Sequence, residues 1–522
     1  MAKFLDQSTR LLLLWRFFLA LTGGYLSSLA MPRENISWLI FVSVILILLS
    51  VYRLRPVPAF LIGLVGGLSF YLSQIEWLSL YLGPVPWLAL SVLEALIFAV
   101  GMSAIAVVWR VLENRIPNAL PVRQITIAFA LATVWTAREW VSITLPYGGF
   151  PWSRLAQTQS ETFLGKWVYW GGLGLLTFVI ALGSAVIAIW VLHPEQSFRR
   201  PVFKKGLIGL LVLSAIAAVP LLTQIPSSQE EGKITIAAVQ GNANAGLFAN
   251  PDRGSILQNH LDASLLIGEK DIDLVVWPEN ASDLSPFEYP QAREKIEKFV
   301  DEQTGVPLIF GTITQRGNDM FNSSILWLPG VGPTDWYDKK RPVPFAEYVP
   351  DRDFWYQLAP DLIGMVSRGY TFGERDGIFD LDNQKLGSLI CFEIAIDDIG
   401  RQLVADGAQV ILSQTNNADF GRSDETFQQA AFARLRAIET GRTVVNISTV
   451  GVSAIYSADG KVLQQLPTFE AGAMVQEIDL RSSITPAMRW GSWFDLLNNF
   501  LALLLILSSV YANFRSRERK SL

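Results

Sequence analysis

Long apolar stretches separated by short polar connections make up most of the first 225 residues. A helix needs about 20 predominantly apolar residues to cross a bilayer. Seven such stretches precede residue 226, at 11–31, 38–53, 58–79, 88–110, 123–142, 168–192 and 206–224, and an eighth spans 493–513. The pattern predicts a seven-helix transmembrane region at 1–225 and an eighth transmembrane helix at 491–513.

Residues 226–490 follow a different pattern. Short runs rich in β-branched residues, such as those in "IDLVVWPEN" and "KLGSLICFE", alternate with helical patterns such as 290–303 and 424–440. In 424–440 apolar residues recur at helical spacing, and Gly441 follows where a helix-ending glycine is expected. Strands that alternate with helices in this way indicate an α/β layered domain.

Charge divides the chain at the same places. Charged residues are only 17% of the whole chain, against roughly 25% in ordinary globular proteins. Residues 226–490 carry 37 acidic and 22 basic side chains, a net charge of −15, while the remainder carries 10 acidic and 20 basic side chains, a net charge of +10. An acidic segment joined to a basic, apolar one indicates a membrane protein with one large water-exposed domain, and no patch typical of nucleic-acid binding is present.

The basic residues also predict an orientation. Lys and Arg are concentrated after the second, fourth and sixth apolar stretches and in residues 514–522, while the alternate loops carry few. Cytoplasmic loops of membrane proteins carry an excess of basic residues. We therefore predict cytoplasmic N- and C-termini, a basic cytoplasmic tail at 514–522, and an extracytoplasmic domain at 226–490.

The supply of reactive side chains narrows the possible chemistry. Cys391 is the only cysteine, so an intramolecular disulfide is excluded, and the chain holds only two histidines. A Ser-His-Asp triad or a histidine-based metal site would need more of them. We predict no metal site and no cofactor, and expect any chemistry to depend on carboxylates, lysine and the thiol.

Three candidates for that chemistry follow strand-like runs or a proline-rich segment. They are Glu279 in "VVWPEN", Lys339 in "YDKKRPVPFAE" and Cys391 in "SLICFE". Taken singly, a lone cysteine is more often a core residue, and a loop glutamate or lysine is more often solvated. Together they supply a nucleophile, a base and a cation for an oxyanion, which is the minimum set for acyl transfer through a thioester.

The motifs around these residues resemble a known superfamily. "WPEN", "YDKKRPVPFAEYVP" and "LICFE" are similar, in the same order, to the three motifs of the carbon–nitrogen hydrolase (nitrilase) superfamily, which carries a Glu–Lys–Cys triad on an α-β-β-α sandwich. With its flanking helices, and with "VQGN" and "GGFPW", the whole chain resembles the apolipoprotein N-acyltransferase family. The resemblance implies a polytopic α-helical membrane domain with eight transmembrane helices and a nitrilase-like sandwich at 226–490.

The resemblance assigns roles to individual residues. It implies that Glu279 is the general base and Cys391 the nucleophile. The family pattern places a glutamate eight positions after the catalytic lysine, and Glu347 stands at that distance from Lys339, not from Lys340. Lys339 is therefore the expected catalytic lysine, and Glu347 is its supporting carboxylate.

Further site residues are implied in the same way. Glu393 matches a second acid near the thiol, and the backbone N–H of Phe392 would be a second oxyanion donor. Asn416, Phe420 and Trp152 fall in motifs that belong to the substrate loops. The chain departs from the family pattern at Asp419, where a Trp is common, and at Gln429, where a His is common. We expect these departures to affect lid closure and the choice of acyl chain.

The implied function is a ping-pong acyl transfer at the cytoplasmic membrane of a bacterium. The partners would be a membrane phospholipid as acyl donor and a diacylglyceryl apolipoprotein as acceptor, with no nucleic acid and with a monomer as the default state. One alternative is a membrane-tethered amidase with the same triad and water as the acceptor. Another is a transporter with an extracellular binding domain, for which Glu94, Arg138 and Glu139 are the ionisable candidates within the helices.

Overall fold

The structure is a computed structural model that describes residues 2–118, 122–194, 203–226, 231–246, 249–250, 252–366 and 369–521. These residues form two compact units. The helical unit comprises Met1–Ser79, Pro84–Thr223 and Arg489–Leu522, and the α/β unit comprises Leu80–Gly83 and Gln224–Met488.

Helices account for most of the first part of the chain. They are α1 (Ala2–Ala30), α2 (Leu39–Val51), α3 (Pro56–Gln74), α4 (Leu78–Leu82), α5 (Pro84–Arg115), α6 (Arg123–Ser142), α7 (Val168–Leu192) and α8 (Phe203–Leu222). Helix α7 is interrupted near its start, because Gly171 and Gly172 have non-helical backbone angles and Gly172 has a φ of 77°.

The remaining helices lie in or after the α/β segment. They are α9 (Ser255–Ser264), α10 (Pro290–Lys298), α11 (Arg352–Leu358), α12 (Pro360–Met365), α13 (Asp397–Ala405), α14 (Glu425–Thr440) and α15 (Pro486–Ser521). Helix α14 confirms the pattern predicted at 424–440, and it ends at Gly441, whose left-handed φ of 67° suits glycine.

The structure supports fewer membrane spans than the eight predicted. Among the described residues, five helical segments are long and apolar enough to cross a membrane: Leu13–Ala30, Pro56–Gln74, Pro84–Arg115, Phe163–Leu192 and Pro486–Arg515. Helices also form at the other three predicted places. However, the apolar helices Leu39–Val51 and Gly206–Leu222 are shorter, and α6 includes Arg123, Arg138 and Glu139. The count of eight is not confirmed.

Some of the basic residues on which the predicted membrane orientation depends lie outside the described residues. Arg199 and Arg200, two of the basic residues in the loop after the sixth apolar stretch, lie outside the described residues. The C-terminal segment predicted as a tail is helical to Ser521, as the continuation of α15. The assignment of the termini to the cytoplasm stays a prediction.

The α/β unit contains two six-stranded sheets. The first has the order β12-β1-β2-β3-β4-β5, and the second has the order β11-β10-β9-β8-β7-β6. The strands are β1 (Lys233–Gln240), β2 (Leu274–Val276), β3 (Leu308–Arg316), β4 (Asp319–Leu328), β5 (Gly332–Asp338), β6 (Ile378–Leu381), β7 (Gln384–Ile390), β8 (Val410–Thr415), β9 (Val444–Ser448), β10 (Ala454–Tyr456), β11 (Val462–Gln465) and β12 (Gly472–Asp479).

Each sheet is mixed, with parallel strands at its centre. Strands β1, β2 and β3 are parallel, as are β7, β8 and β9, while the outer pairs are antiparallel. Parallel strands are buried on both faces and read as continuous apolar runs. Strands β2 ("LVV") and β9 ("VVNIS") are accordingly buried at every position.

Side chains from both sheets share one core. Ile236 and Val276 from the first sheet belong to the same buried cluster as Leu412 and Ile447 from the second. On its other face the first sheet packs on α9 and α10, with Ile296 among the buried residues. Helix α13 contacts β7, and α14 contacts β9 and β10. The layers are therefore helix, sheet, sheet and helix, which confirms the α/β part of the predicted fold.

Candidate active site

The three predicted catalytic residues each follow the carboxyl end of a strand in the α/β unit. Glu279 comes three residues after β2, Lys339 directly after β5, and Cys391 directly after β7. The first two strands belong to one sheet and the third to the other. Because the two sheets pack face to face, residues that are far apart in the sequence can meet at their ends.

A glycine allows the Glu279 segment to lie close to the neighbouring strand. Gly311 in β3 donates from its backbone N–H to the Pro278 carbonyl, at 3.0 Å. A Cβ at this glycine would lie 2.6 Å from the Cα of Glu279. Any larger residue would therefore push the glutamate segment away from the sheet.

Lys339 lies at the centre of the candidate site and is only 1% exposed. Its Nζ lies 3.3 Å from Oε1 of Glu279 and 2.9 Å from Oε2 of Glu347. Burial opposes a charge on this amine, but the two carboxylates outweigh burial and raise the pKa of Lys339 well above its usual value. The lysine is therefore a permanent, buried cation.

Asn322 in β4 connects the two carboxylates that flank the lysine. Its Nδ2 donates to Oε1 of Glu279 at 2.7 Å and to Oε1 of Glu347 at 3.0 Å. The backbone N–H of Val343 donates to the other oxygen of Glu347, at 2.7 Å. These donors hold Glu347 beside the lysine, and its role as a supporting carboxylate stays a prediction.

Glu279 keeps one oxygen without a partner. Its side chain is 4% exposed, and Oε1 is engaged by both Lys339 and Asn322. Among the described residues, Oε2 has no hydrogen-bond partner. A buried carboxylate oxygen that no protein group satisfies is unusual, and it is suited to accept a proton from a reacting group.

Cys391 occupies a strained turn. Its φ of 54° lies in the left-handed region, which side chains other than glycine rarely adopt. The residue ends the run of β7 and begins the short 3₁₀-helix Cys391–Ala395. Such strain, where it occurs, is concentrated at functional sites.

The thiol is neutral in the resting site. Burial raises the pKa of Cys391 well above its usual value, the negative charge of Glu279 raises it further, and the cation of Lys339 opposes both. Because only a thiolate is an effective nucleophile, this cysteine needs a base at the moment of attack.

Glu393 holds the thiol segment and the lysine segment together. The carboxylate is fully buried, and burial raises its pKa. Its donors are the Tyr337 hydroxyl at 2.9 Å and the backbone N–H groups of Lys340 at 2.7 Å, Arg341 at 3.1 Å and Ile390 at 2.9 Å. Glu393 thus bonds to the residue after the lysine and to the residue before the cysteine, which suits a positioning role.

The predicted substrate-loop residues of the α/β unit have distinct surroundings. Asn416 accepts from the Thr449 hydroxyl at 2.8 Å and so shapes the loop after β8. Phe420 stacks on Tyr81, with ring centroids 5.4 Å apart. Phe392 follows the cysteine directly and is partly buried. The role of its N–H group as an oxyanion donor stays a prediction.

Trp152 belongs to the helical unit. It is 4% exposed and packs against Trp77 and Phe150, with ring centroids 5.9 and 6.2 Å away. Its neighbours in that unit are therefore aromatic core residues. A contact with substrate stays a prediction.

The ionisable residues of the helical unit have internal partners. Arg138 donates to the Tyr71 hydroxyl at 3.1 Å, and Glu139 accepts from the Thr177 hydroxyl at 2.7 Å. Glu94 accepts from the Ser142 hydroxyl. Paired groups of this kind have a structural explanation, so they do not favour the transporter alternative.

Sequence reasoning missed three residues of the site. For Asn322 the sequence held one possible signal, which is that it alternates with Ser324 on one face of β4 and both are polar. The Ser324 hydroxyl on that face donates to Gln414 of the other sheet. Tyr337 lies two residues before the lysine in the motif that was recognised. The sequence held no signal for Tyr81, because this residue is distant in the chain from the three motifs. Burial, with the charges of Asp419 and Glu347, raises the pKa of Tyr81 to about 12.

No group of three or more His, Cys, Asp or Glu side chains in the described parts of the chain could hold a metal ion. Around Lys339 the ammonium group offsets one of the two negative charges of Glu279 and Glu347. The arrangement can therefore supply a base, a cation and a nucleophile from protein groups.

Two protein-family models match the chain in succession. A model described as "Apolipoprotein N-acyltransferase N-terminal domain" matches residues 23–186. A model described as "Carbon-nitrogen hydrolase" matches residues 235–485. The second match contains Glu279, Lys339 and Cys391.

Curated proteins similar to this chain are named apolipoprotein N-acyltransferase. An apolipoprotein N-acyltransferase of Mycolicibacterium smegmatis is 30% identical over 375 residues, which are 66% of this chain and 61% of that relative. An apolipoprotein N-acyltransferase of Pseudomonas syringae pv. tomato is 26% identical over 493 residues, which are 91% of this chain and 93% of that relative. The first match spans less than two thirds of the relative, and the second spans almost all of it.

Among solved structures, an amidase from Nesterenkonia sp. is 18% identical, with a TM-score of 0.37, over 51% of this chain and 96% of that chain. The apolar helices among the described residues, the two family models and the relative matched over 93% of its own length agree with one another. The chain resembles the bacterial apolipoprotein N-acyltransferases along most of its length, which supports an acyltransferase.

Proposed function

We propose that the chain transfers a fatty acyl group from a membrane phospholipid, through a thioester on Cys391, to the α-amino group of the N-terminal diacylglyceryl-cysteine of apolipoproteins. Similarity to proteins named apolipoprotein N-acyltransferase supports lipoprotein N-acylation in general. The observation that carries the mechanism is a neutral, partly buried thiol near a glutamate whose Oε2 has no partner among the described residues. A thiol that cannot ionise unaided requires such a base.

The first half-reaction forms the thioester. Glu279 takes the proton of Cys391 as the sulfur attacks the ester carbonyl of the phospholipid. The ammonium of Lys339 and the N–H of Phe392 stabilise the negative charge on the tetrahedral oxygen. The carbon–oxygen bond then breaks, Glu279 returns the proton to the leaving oxygen, and lysophospholipid departs.

The second half-reaction transfers the acyl group. The neutral α-amine of the lipoprotein attacks the thioester carbonyl, and Glu279 accepts a proton from the nitrogen. The carbon–sulfur bond breaks, and the proton is passed to the Cys391 thiolate. An amide forms, the thiol is regenerated, and no cofactor is consumed.

Both substrates in this proposal are lipids, which explains why the catalytic unit would be joined to membrane helices. Moving an acyl chain into water costs about 0.8 kcal/mol per CH₂ group. A site at the bilayer surface avoids most of that cost. We propose that this surface is the extracytoplasmic face of the cytoplasmic membrane and that the enzyme acts as a monomer.

The test is to incubate the full-length protein, in detergent micelles, with phospholipid that carries a radiolabelled acyl chain. Without an amine acceptor, the label should remain on Cys391 as a hydroxylamine-sensitive adduct. A diacylglyceryl peptide with a free amino terminus should then remove the label as an N-acyl peptide.

Cys391→Ala serves as the control, since it should form no adduct. Label on Cys391→Ala at the wild-type level would contradict the role of the thiol. Continuous release of free fatty acid by the wild-type protein without an amine would instead favour the hydrolase, with water as the acceptor.

A further inference from the structure

The sulfur of Cys391 has a polar neighbour on the side of helix α14. Gln429 donates from Nε2 to Sγ, at 3.6 Å, and its side chain is 1% exposed. A thiol sulfur is a weak acceptor, so a buried amide that donates an N–H to it gains little hydrogen-bond energy in the resting state. The sulfur becomes a strong acceptor only when it is ionised.

The orientation of this amide is set by Asn417. The Asn417 Nδ2 donates to Gln429 Oε1 at 2.5 Å. Its own oxygen accepts hydroxyl bonds from Ser448 at 2.6 Å, Thr415 at 3.1 Å and Thr426 at 3.2 Å. The Ser448 hydroxyl accepts from the backbone N–H of Gly451 and therefore donates to Asn417, so that the Asn417 NH₂ group faces Gln429. The Gln429 oxygen is thereby occupied, and only its N–H can face the sulfur.

A buried carboxyl group completes the arrangement. The Asn417 Nδ2 also donates to Oε2 of Glu425, at 2.7 Å, and Glu425 is 2% exposed. Both hydrogens of the Asn417 amide are therefore used, one by Gln429 and one by Glu425. Burial, with a further contribution from the charge of Glu279, raises the pKa of Glu425 to about 8. The group is thus largely neutral at physiological pH and adds little negative charge near the sulfur.

We propose that Gln429 is a further catalytic residue, whose N–H stabilises the thiolate of Cys391, and that Asn417 and Glu425 are positioning residues that fix its orientation. This inference rests on the proposed function, because it takes Cys391 as the nucleophile. Glu279 and Lys339 supply a base and a cation, and Gln429 would add a hydrogen-bond donor to the sulfur itself.

The same hydrogen bond would act in both half-reactions. As Glu279 removes the thiol proton, negative charge develops on Sγ and the bond from Gln429 becomes charge-assisted. When the amine later displaces the thioester sulfur, the leaving thiolate is stabilised by the same N–H. Because the amide faces the sulfur with a donor, it cannot take the thiol proton, which leaves that proton to Glu279.

Among the described residues, the titratable groups that act on the thiol include Glu279, Lys339, Glu425, Glu347 and Tyr81. Gln429 is neutral at every pH, so a change in the ionisation of Cys391 on its substitution reports the hydrogen bond and not a lost charge.

Alkylation of the full-length protein in detergent with iodoacetamide tests the inference. Cys391 is the only cysteine, so the rate reports its thiolate fraction directly and needs no lipid substrate. Gln429→Leu should lower the rate near pH 7 by about tenfold and displace the rising part of the pH–rate profile to higher pH by about one unit, the size expected of a hydrogen bond to a charged group. Gln429→His, which can supply a ring N–H, should recover part of the rate.

Variants of Glu425 test the positioning role. Glu425→Leu leaves one Asn417 N–H without its acceptor and should slow alkylation several-fold. Glu425→Gln keeps an acceptor oxygen at that place and should recover most of the loss. Equal slowing by both variants would overturn the positioning role. Thermal unfolding of each variant identifies any that fail to fold. The alkylation rates of Glu425→Leu and Glu425→Gln are compared only if both variants are folded.

Alkylation of folded Gln429→Leu at the wild-type rate between about pH 6 and 10 would overturn the inference. That result would leave the proposed function intact, since a labelled acyl group could still be trapped on Cys391. Failure to trap an acyl group on the wild-type protein would contradict the proposed function, while the alkylation profile of Gln429→Leu would still report the hydrogen bond.

Discussion

At the scale of single residues, a buried cation decides the charge state of the candidate site. Lys339 lies between Glu279 and Glu347, and all three side chains are largely withdrawn from water. Breaking a buried ion pair by removing one partner is strongly destabilising, because the other charge is left uncompensated. We therefore expect the lysine to stabilise the fold of the site as well as to take part in the proposed chemistry.

Lys339→Met should lower the free energy of unfolding by about 3–5 kcal/mol and the rate of acyl-enzyme formation by about 10²–10³-fold. The matched control is Lys340→Met, because the Lys340 side chain pairs with Asp376, which is 47% exposed. The control should stay near wild type in thermal unfolding and in adduct formation. If the two variants behaved alike, the choice of lysine would be wrong.

Glu425 should make stability depend on pH. Its pKa in the folded protein is about 8, against about 4.3 for an unfolded glutamate. Between these values the folded state holds a proton that the unfolded state has lost, so stability falls as pH rises through this window. The melting temperature of the wild-type protein should therefore fall relative to that of Glu425→Gln from about pH 5 to about pH 8. A constant difference across that range would contradict the assignment.

At the scale of elements, Glu393 joins two segments that come from different sheets. Its acceptor oxygens bind the backbone at Ile390, before the cysteine, and at Lys340, after the lysine. The spacing of Glu393 two residues after the cysteine was visible in the sequence. The donors other than Ile390 were not visible, because they come from a segment about 50 residues away in the chain, as the separation of 53 between Lys340 and Glu393 shows.

Glu393→Ala should cost about 3–5 kcal/mol of unfolding free energy, because it leaves several buried N–H groups without acceptors. Tyr337→Phe removes only the hydroxyl donor and should cost about 1–3 kcal/mol. Adduct formation on Cys391 should fall in the same order. A Tyr337→Phe defect as large as that of Glu393→Ala would mean that the backbone bonds contribute little.

Local patterns predicted elements well and membrane spans less well. The helix at α14 and its end at Gly441 could be predicted because period and stop signal coincide. Counting apolar stretches gave eight spans, whereas five described segments are long and apolar enough. Helix α2 has 13 residues and is shorter than the apolar stretch 38–53 in which it forms. The length of an apolar stretch can therefore overestimate the length of the helix.

At the scale of the whole molecule, composition predicted the separation into an apolar helical unit and an acidic α/β unit. The motifs predicted Glu279, Lys339 and Cys391, because each lies at the end of a strand-like run or in a proline-rich segment. Asn322, Asn417 and Glu425 escaped notice, since a buried polar residue has no sequence signature until its partners are known.

The predicted orientation can be tested by cysteine labelling in a Cys391→Ala background. Lys233→Cys in the α/β unit should react with a membrane-impermeant maleimide applied to spheroplasts, because 226–490 is expected outside the cytoplasm. Arg115→Cys, at the end of α5, should react only after the membrane is made permeable. The reverse pattern would invert the predicted topology.

The left-handed φ of 54° at Cys391 sets stability against activity at this position. Glycine adopts that backbone angle without the steric cost that any side chain bears. Cys391→Gly should therefore be more stable than Cys391→Ala, by up to about 1 kcal/mol in thermal unfolding, while both variants form no acyl-enzyme. Equal melting temperatures would mean that the turn is unstrained. If the difference is found, selection on folding alone would replace this cysteine with glycine, and only selection on catalysis retains it.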